Sequence, residues 1–173
     1  MKQKIGKALL LIPILFIVLF ACAILRRKAQ ADSDAERISI LPALVLTDLD
    51  GNKYNTSQLS SGPLLVTFFH PECDHCRYEL TSLMTDGSFN RNVEVLLISY
   101  EEETKIRSFI KELRLSDLPN VHVVHDQDYK LSHLFGATII PANFIYNDSL
   151  FLVKRFKGSV KPETIMKYLN GNY

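Results

Sequence analysis

The sequence has no tryptophan, no surplus of either charge and no internal repeat, and these absences narrow what the chain can do. Twenty Lys and Arg face 19 Asp and Glu, for a net charge of +1. The cations are scattered instead of forming a stripe, so no nucleic-acid or other polyanion partner is expected. No low-complexity tract interrupts the chain. Its 173 residues suffice for one ordinary domain and a short appendage. At 47% hydrophobic and 23% charged the balance is globular, with much of the apolar content gathered at the N-terminus.

That N-terminus differs from everything after it. Lys2, Lys4 and Lys7 precede an apolar run from Ala8 to Leu25, interrupted only by Pro13, and Arg26, Arg27 and Lys28 stop it. A run of this length makes about 27 Å of helix, just enough for a thin hydrocarbon core. Residues 1–28 are read as an uncleaved signal anchor, a single transmembrane helix. Cleavage after Ala31 competes, because Ala29-Gln30-Ala31 has the small-x-small pattern. So does lipidation at Cys22, since Leu19-Phe20-Ala21-Cys22 is similar to a lipobox. Phe20 is bulky for that motif and the apolar run continues past the cysteine, so Cys22 is read as a small apolar residue of the helix. Cations flank both ends equally, and the positive-inside rule barely decides orientation. Short N-terminal anchors usually export the domain behind them. The expected location is therefore a bacterial inner membrane, with the large domain outside the cytoplasm, in the periplasm. Residues 29–37 read as a linker, and 38–173 as the folded domain.

Within that domain, Pro42–Leu49, the turn signal Asp50-Gly51 and a short strand near Lys53–Asn55 predict an N-terminal hairpin. The apolar runs Leu64–Phe69 and Val93–Ile98 suit strands buried on both faces. A helix is expected over Cys76–Met84, where Tyr78, Leu80, Leu83 and Met84 supply the apolar positions. Another carries Ile106, Phe109, Ile110 and Leu113 at amphipathic spacing. Val121–Val124 reads as a strand and Tyr129–Phe135 as a short helix ending at Gly136. Asn143–Tyr146 and Leu150–Phe156 flank Asn147-Asp148 as a hairpin. Pro162–Leu169 is a closing helix with proline in its first turn. Strands alternating with helices, then a hairpin and a last helix, predict an α/β domain with a mixed sheet.

The strand Leu64–Phe69 runs into His70-Pro71-Glu72-Cys73-Asp74-His75-Cys76 and then a helix, and Ile140-Pro141 precedes a later strand. A CxxC pair in this strand–loop–helix setting, with that proline and this element order, resembles the thioredoxin superfamily. The closest match is its membrane-anchored TlpA/ResA-like branch, over about residues 38–173. The resemblance implies a thioredoxin fold: a mixed central sheet flanked by helices, with an N-terminal β-hairpin extension. It implies a thiol–disulfide oxidoreductase that reduces protein disulfides through Cys73 and Cys76. No cofactor beyond that redox-active disulfide is called for, and no metal. Protein thiols and disulfides are the implied partners, with a membrane reductant upstream. It also implies that Pro141 is the family's cis-proline, shaping a groove where the backbone of Ile140 pairs with substrate.

Thiolate is the nucleophile in this chemistry, and a free cysteine is mostly protonated at neutral pH. A helix N-terminus aims unpaired N–H groups at the sulfur of Cys73, which makes Cys73 the attacking residue. Cys76 follows about one turn along and resolves the mixed disulfide. His75, when protonated, favours thiolate, whereas Glu72 and Asp74 oppose it. Those two acids also suit helix-start capping. Two departures from the family stand out. Glu72 occupies the place where the family often has tryptophan. Thr67 occupies the place of the buried acid that takes up protons in thioredoxins. Glu79, in the first turns of the helix, could substitute as proton acceptor, although its position suits a surface role better.

Other chemistries compete. A disulfide oxidase or isomerase uses the same pair. Copper or zinc delivery would draw on His70, Cys73, His75 and Cys76, but the neighbours His75 and Cys76 would not easily converge with the other two. Peroxiredoxins place Ser or Thr three residues before their cysteine and Pro seven before. Here those positions are His70 and Val66. A binding module without catalysis has no need of both cysteines. His122, His125 and His133 are read as surface or packing residues, and Tyr129 and Phe135 as core.

Overall fold

The computed structural model describes residues 2–58, 62–85 and 93–171. The chain forms two compact units, divided between Glu36 and Arg37. The first is one helix, α1 (Lys2–Arg37), with Pro13 inside it. Residues 29–37, expected as a linker, continue this helix. Ala29, Gln30, Ala31, Ala35, Glu36 and Arg37 are all good helix formers, and no Gly or Pro among them stops it. Among the described residues no helix is long and apolar enough to cross a membrane. The side chains of Ala8 to Ile12 and of Ile14, which open the apolar run, lie outside the described residues, as do those of Gln30 and Ala31 at the expected cleavage motif.

In the second unit, β1 (Val45–Thr47) and β2 (Lys53–Asn55) form the N-terminal hairpin. Asp48 closes its turn by accepting the N–H groups of Asp50 and Asn52, and Gly51 takes the positive φ of 85° that the turn requires. The main sheet holds β3 (Leu64–Phe68), β4 (Glu94–Ser99), β5 (Val121–His125), β6 (Ala142–Tyr146) and β7 (Leu152–Lys157). Their order is β5-β4-β3-β6-β7. The β3–β4 and β4–β5 pairs are parallel, while β6 runs antiparallel to both β3 and β7. The sheet is thus mixed, as the sequence predicts.

Alternation along the strands divides the core. Leu65, Val95, Leu97, Val123 and Ile145 face one side. There they meet α2 (Asp74–Thr85), α3 (Glu103–Glu112) and α5 (Pro162–Leu169). Leu64, Val66, Phe68, Leu96, Ile98 and Phe144 face the other, against α4 (Lys130–Phe135) and Leu46 of the hairpin. Because β3 is central and wholly buried, the chain leaving it is fixed where the sheet's functional loops gather. The ends of β3, β4 and β5 and the start of β6 share that edge.

Candidate active site

Cys73 is the residue immediately before α2, and its Sγ accepts the backbone N–H of Cys76 at 3.2 Å. This is the bond an N-cap side chain makes to the third helical residue. A sulfur therefore fills the cap that Glu72 or Asp74 was expected to supply. Cys73 is partly exposed and Cys76 is buried at 1% exposure, so the pair has one member toward solvent and one toward the core. Both are free thiols in this structure. Burial pushes the Cys76 thiol well above the ordinary range, and the neighbouring Cys73 sulfur and the Glu79 carboxylate push it further; the backbone N–H of His70 pulls it back in part.

The loop before the pair is tied down by a residue whose place in this fold the sequence reading missed. His70 accepts the N–H of Cys73 on its carbonyl and that of Glu72 on its ring Nδ1. Its Nε2 meets Glu101 Oε1 at 3.0 Å, joining the loop to the end of β4. With both nitrogens so engaged, and His75 exposed, the four residues weighed as metal ligands do not converge. Among the described residues no group of three or more His, Cys, Asp or Glu is placed to hold a metal ion. Glu72 pairs with Lys105 at 2.8 Å, and that ammonium holds its carboxyl below the usual carboxylate range. Its negative charge is thereby largely offset. Asp74 is exposed in the first turn of α2.

Glu79 is not on the surface: it is fully buried, at 0% exposure. On α2 it shares a face with Cys76, Leu80 and Leu83, at the i, i+3, i+4, i+7 spacing. Asn143 Nδ2 donates to its Oε1 at 2.8 Å and the Val160 N–H to its Oε2 at 3.3 Å. Burial still wins, and the carboxyl sits above its ordinary range. Just before β6 the Ile140–Pro141 peptide bond is cis and Pro141 is buried. Ile140 and Cys73 pack against the same core cluster that contains Cys76 and Leu80. Tyr129, read from sequence as core, is 49% exposed and lies against Tyr100 with ring centroids 5.0 Å apart. Phe135 is buried as expected.

The asymmetry of the two thiols gives a direct expectation. With Cys22 replaced by serine, iodoacetamide at neutral pH alkylates Cys73 and spares Cys76, because only the outer sulfur is both accessible and stabilised by an N–H donor. Mass mapping that finds equal labelling would contradict this placement.

Similarities to known proteins agree with the geometry. Thiol-disulfide oxidoreductase ResA of Bacillus subtilis (strain 168) is 23% identical over 132 residues, 75% of this chain and 72% of that protein. ResA of Bacillus anthracis is 22% identical over 143 residues, 79% and 80% of the two chains. Among solved structures, a secreted Mycobacterium tuberculosis disulfide oxidoreductase homologous to E. coli DsbE superposes with a TM-score of 0.64 at 18% identity, over 79% of this chain and 98% of that one. StoA from Bacillus subtilis gives a TM-score of 0.58 at 17% identity, over 75% and 98%. At these identities the structural likeness concerns the thioredoxin-like fold. The AhpC/TSA family matches residues 39–155, most of the second unit, and the chain belongs to that family.

Proposed function

We propose that this protein is a membrane-anchored thiol–disulfide oxidoreductase that reduces disulfides of exported proteins. The observation that carries the reading is the cysteine pair itself, with Cys73 Sγ capping α2 and Cys76 buried beneath it. Cys73 thiolate attacks one sulfur of a substrate disulfide. That S–S bond breaks, a mixed disulfide to Cys73 forms, and the departing substrate thiolate takes a proton from water. Cys76 then loses its proton to Glu79, one turn along α2. Its thiolate attacks Cys73 Sγ, the bond from Cys73 to the substrate breaks, and the second substrate sulfur leaves as a thiolate that takes a proton from water. Two electrons have passed to the substrate and a Cys73–Cys76 disulfide remains, which an upstream membrane reductant must reopen.

Charge around the pair favours this direction. The Glu79 carboxylate disfavours a Cys76 thiolate and so favours the disulfide, whereas the exposed ring of His75 is screened by solvent. Pro141 and the backbone of Ile140 offer an edge where an extended substrate segment adds as a strand. Anchoring through α1 is supported by its apolar run, whose described side chains from Leu15 to Leu25 are exposed, including Phe16 at 71% and Leu25 at 66%. The large domain then lies outside the cytoplasm, in the periplasm of a bacterial cell.

The test is the reduction potential of the full chain, equilibrated against glutathione. The expected value is near or below that of thioredoxin, about −270 mV. A value near about −120 mV would mean the protein introduces or shuffles disulfides. If no disulfide forms, the redox reading fails.

A further inference from the structure

The buried carboxylate of Glu79 ends a polar chain that crosses two strands of the sheet. Thr67 of β3 and Asn143 of β6 stand directly opposite each other in the antiparallel register. Their side chains therefore share a face, the one covered by α2. Both are sealed from solvent, at 1% and 0% exposure. Thr67 Oγ1 donates to Asn143 Oδ1 at 2.7 Å, and Asn143 Nδ2 donates to Glu79 Oε1 at 2.8 Å.

The two ends of that amide are not interchangeable. An ionised carboxylate only accepts, so it needs the NH2 end; the oxygen end suits only a protonated Glu79. Turning the amide over would also change the part played by Thr67. Its hydroxyl would have to accept from Nδ2, and its own hydrogen would lose Oδ1, the acceptor it has here. Among the described residues, Oδ1 is the one acceptor that this hydrogen meets. In a dry interior an orphaned donor is costly, so the hydroxyl selects one orientation of the amide.

We propose that Thr67 and Asn143 are positioning residues for proton transfer from Cys76. Thr67 locks the Asn143 amide with its NH2 toward Glu79, and Asn143 thereby holds Glu79 in the ionised form that takes the proton. The inference rests on the reading of Glu79 as proton acceptor. It assigns a role to the position where a buried acid is absent: the neutral pair orients an acid supplied by the helix.

The experiment is stopped-flow release of thionitrobenzoate from Ellman's disulfide, on the full chain with Cys22 replaced by serine, from about pH 5 to about pH 9. The first release reports attack by Cys73 and serves as a check on folding. The second reports resolution by Cys76 and rises with pH as Glu79 ionises. Thr67→Val should move the midpoint of the second release up by about one pH unit, slowing it about tenfold below the midpoint and little above it. Thr67→Ser should restore the midpoint, and Asn143→Ala should shift it at least as far as Thr67→Val. Unchanged midpoints in Thr67→Val and Asn143→Ala, with Glu79→Gln still slowing the second release, would overturn the proposal and leave Glu79 as acceptor. If Glu79→Gln also matches the parent profile, the acceptor reading itself fails.

Discussion

Replacing Cys73 by serine abolishes disulfide exchange, a loss on the order of 10³-fold or more, whereas replacing Cys76 stops the reaction halfway. A serine hydroxyl is not ionised at neutral pH, so the N–H of Cys76 and the start of α2 have no anion to stabilise. The buried Cys76 cannot take over, because it sits below the surface with its thiol held protonated. In Cys76→Ser the outer sulfur still attacks, but nothing displaces the substrate from it. The covalent complex therefore accumulates and survives non-reducing electrophoresis, releasing its substrate only when a thiol is added. Complexes should form with cystine-bearing exported proteins and disappear in the double variant. Equal residual activity in the two single variants would contradict the assigned order of attack and resolution.

Much of this arrangement is legible in the sequence because it is local. Cys73-Asp74-His75-Cys76 lies between an unbroken apolar strand and a helix, and both neighbours are set by short-range pattern. The hairpin at Asn147-Asp148 and the helix Pro162–Leu169 are equally local: the Asn147 side chain accepts the N–H groups of Ser149 and Phe151, and Pro162 stands at the first helical position. The placement of Glu79 is less legible. Counting Tyr78 toward the apolar face of α2 turns that face away from Glu79, yet Tyr78 is 62% exposed, and the true face runs Cys76, Glu79, Leu80, Leu83. Asn143 carries a signal that goes unused in a reading by motif. A polar residue in the wholly buried strand Ala142–Tyr146 must find a partner inside the protein. That the partner is Thr67, 76 residues earlier, depends on the register between β3 and β6, which no local pattern states. His70 is hidden in the same way, since its bond to Glu101 joins two loops that only the parallel pairing of β3 and β4 brings together.

Glu79→Gln should slow resolution of the mixed disulfide by about 10²-fold, within the range that a positioned general base contributes, while leaving attack by Cys73 nearly intact. The amide is close in shape, so the packing of α2 against β3 and β6 persists, but it has no lone charge to receive the proton of Cys76. The same substitution changes how stability depends on pH, and the sign is set by the direction of the Glu79 shift. Burial raises this carboxyl above its ordinary range against the opposing hydrogen bonds from Asn143 and Val160 and the charge of His75. Between the ordinary carboxyl pKa, about 4.3, and the raised folded value, the native protein holds a proton that the unfolded chain has released. Over that window the stability contributed by this group falls as pH rises, and above it the cost of a buried anion is fully present. Glutamine removes that fall. Urea unfolding at about pH 5 and about pH 8 should therefore show a smaller loss of stability across the interval in Glu79→Gln than in the parent protein. The glutamine amide can accept from only one of the two N–H donors that meet the carboxylate, so the absolute stabilities differ for a second reason and the pH-dependence is the informative quantity. A slow second step together with a flattened stability profile identifies Glu79 as a group kept ionised, at a cost in stability, for the chemistry of Cys76. A slow second step with the parent's pH-dependence of stability would mean that its proton is taken up elsewhere.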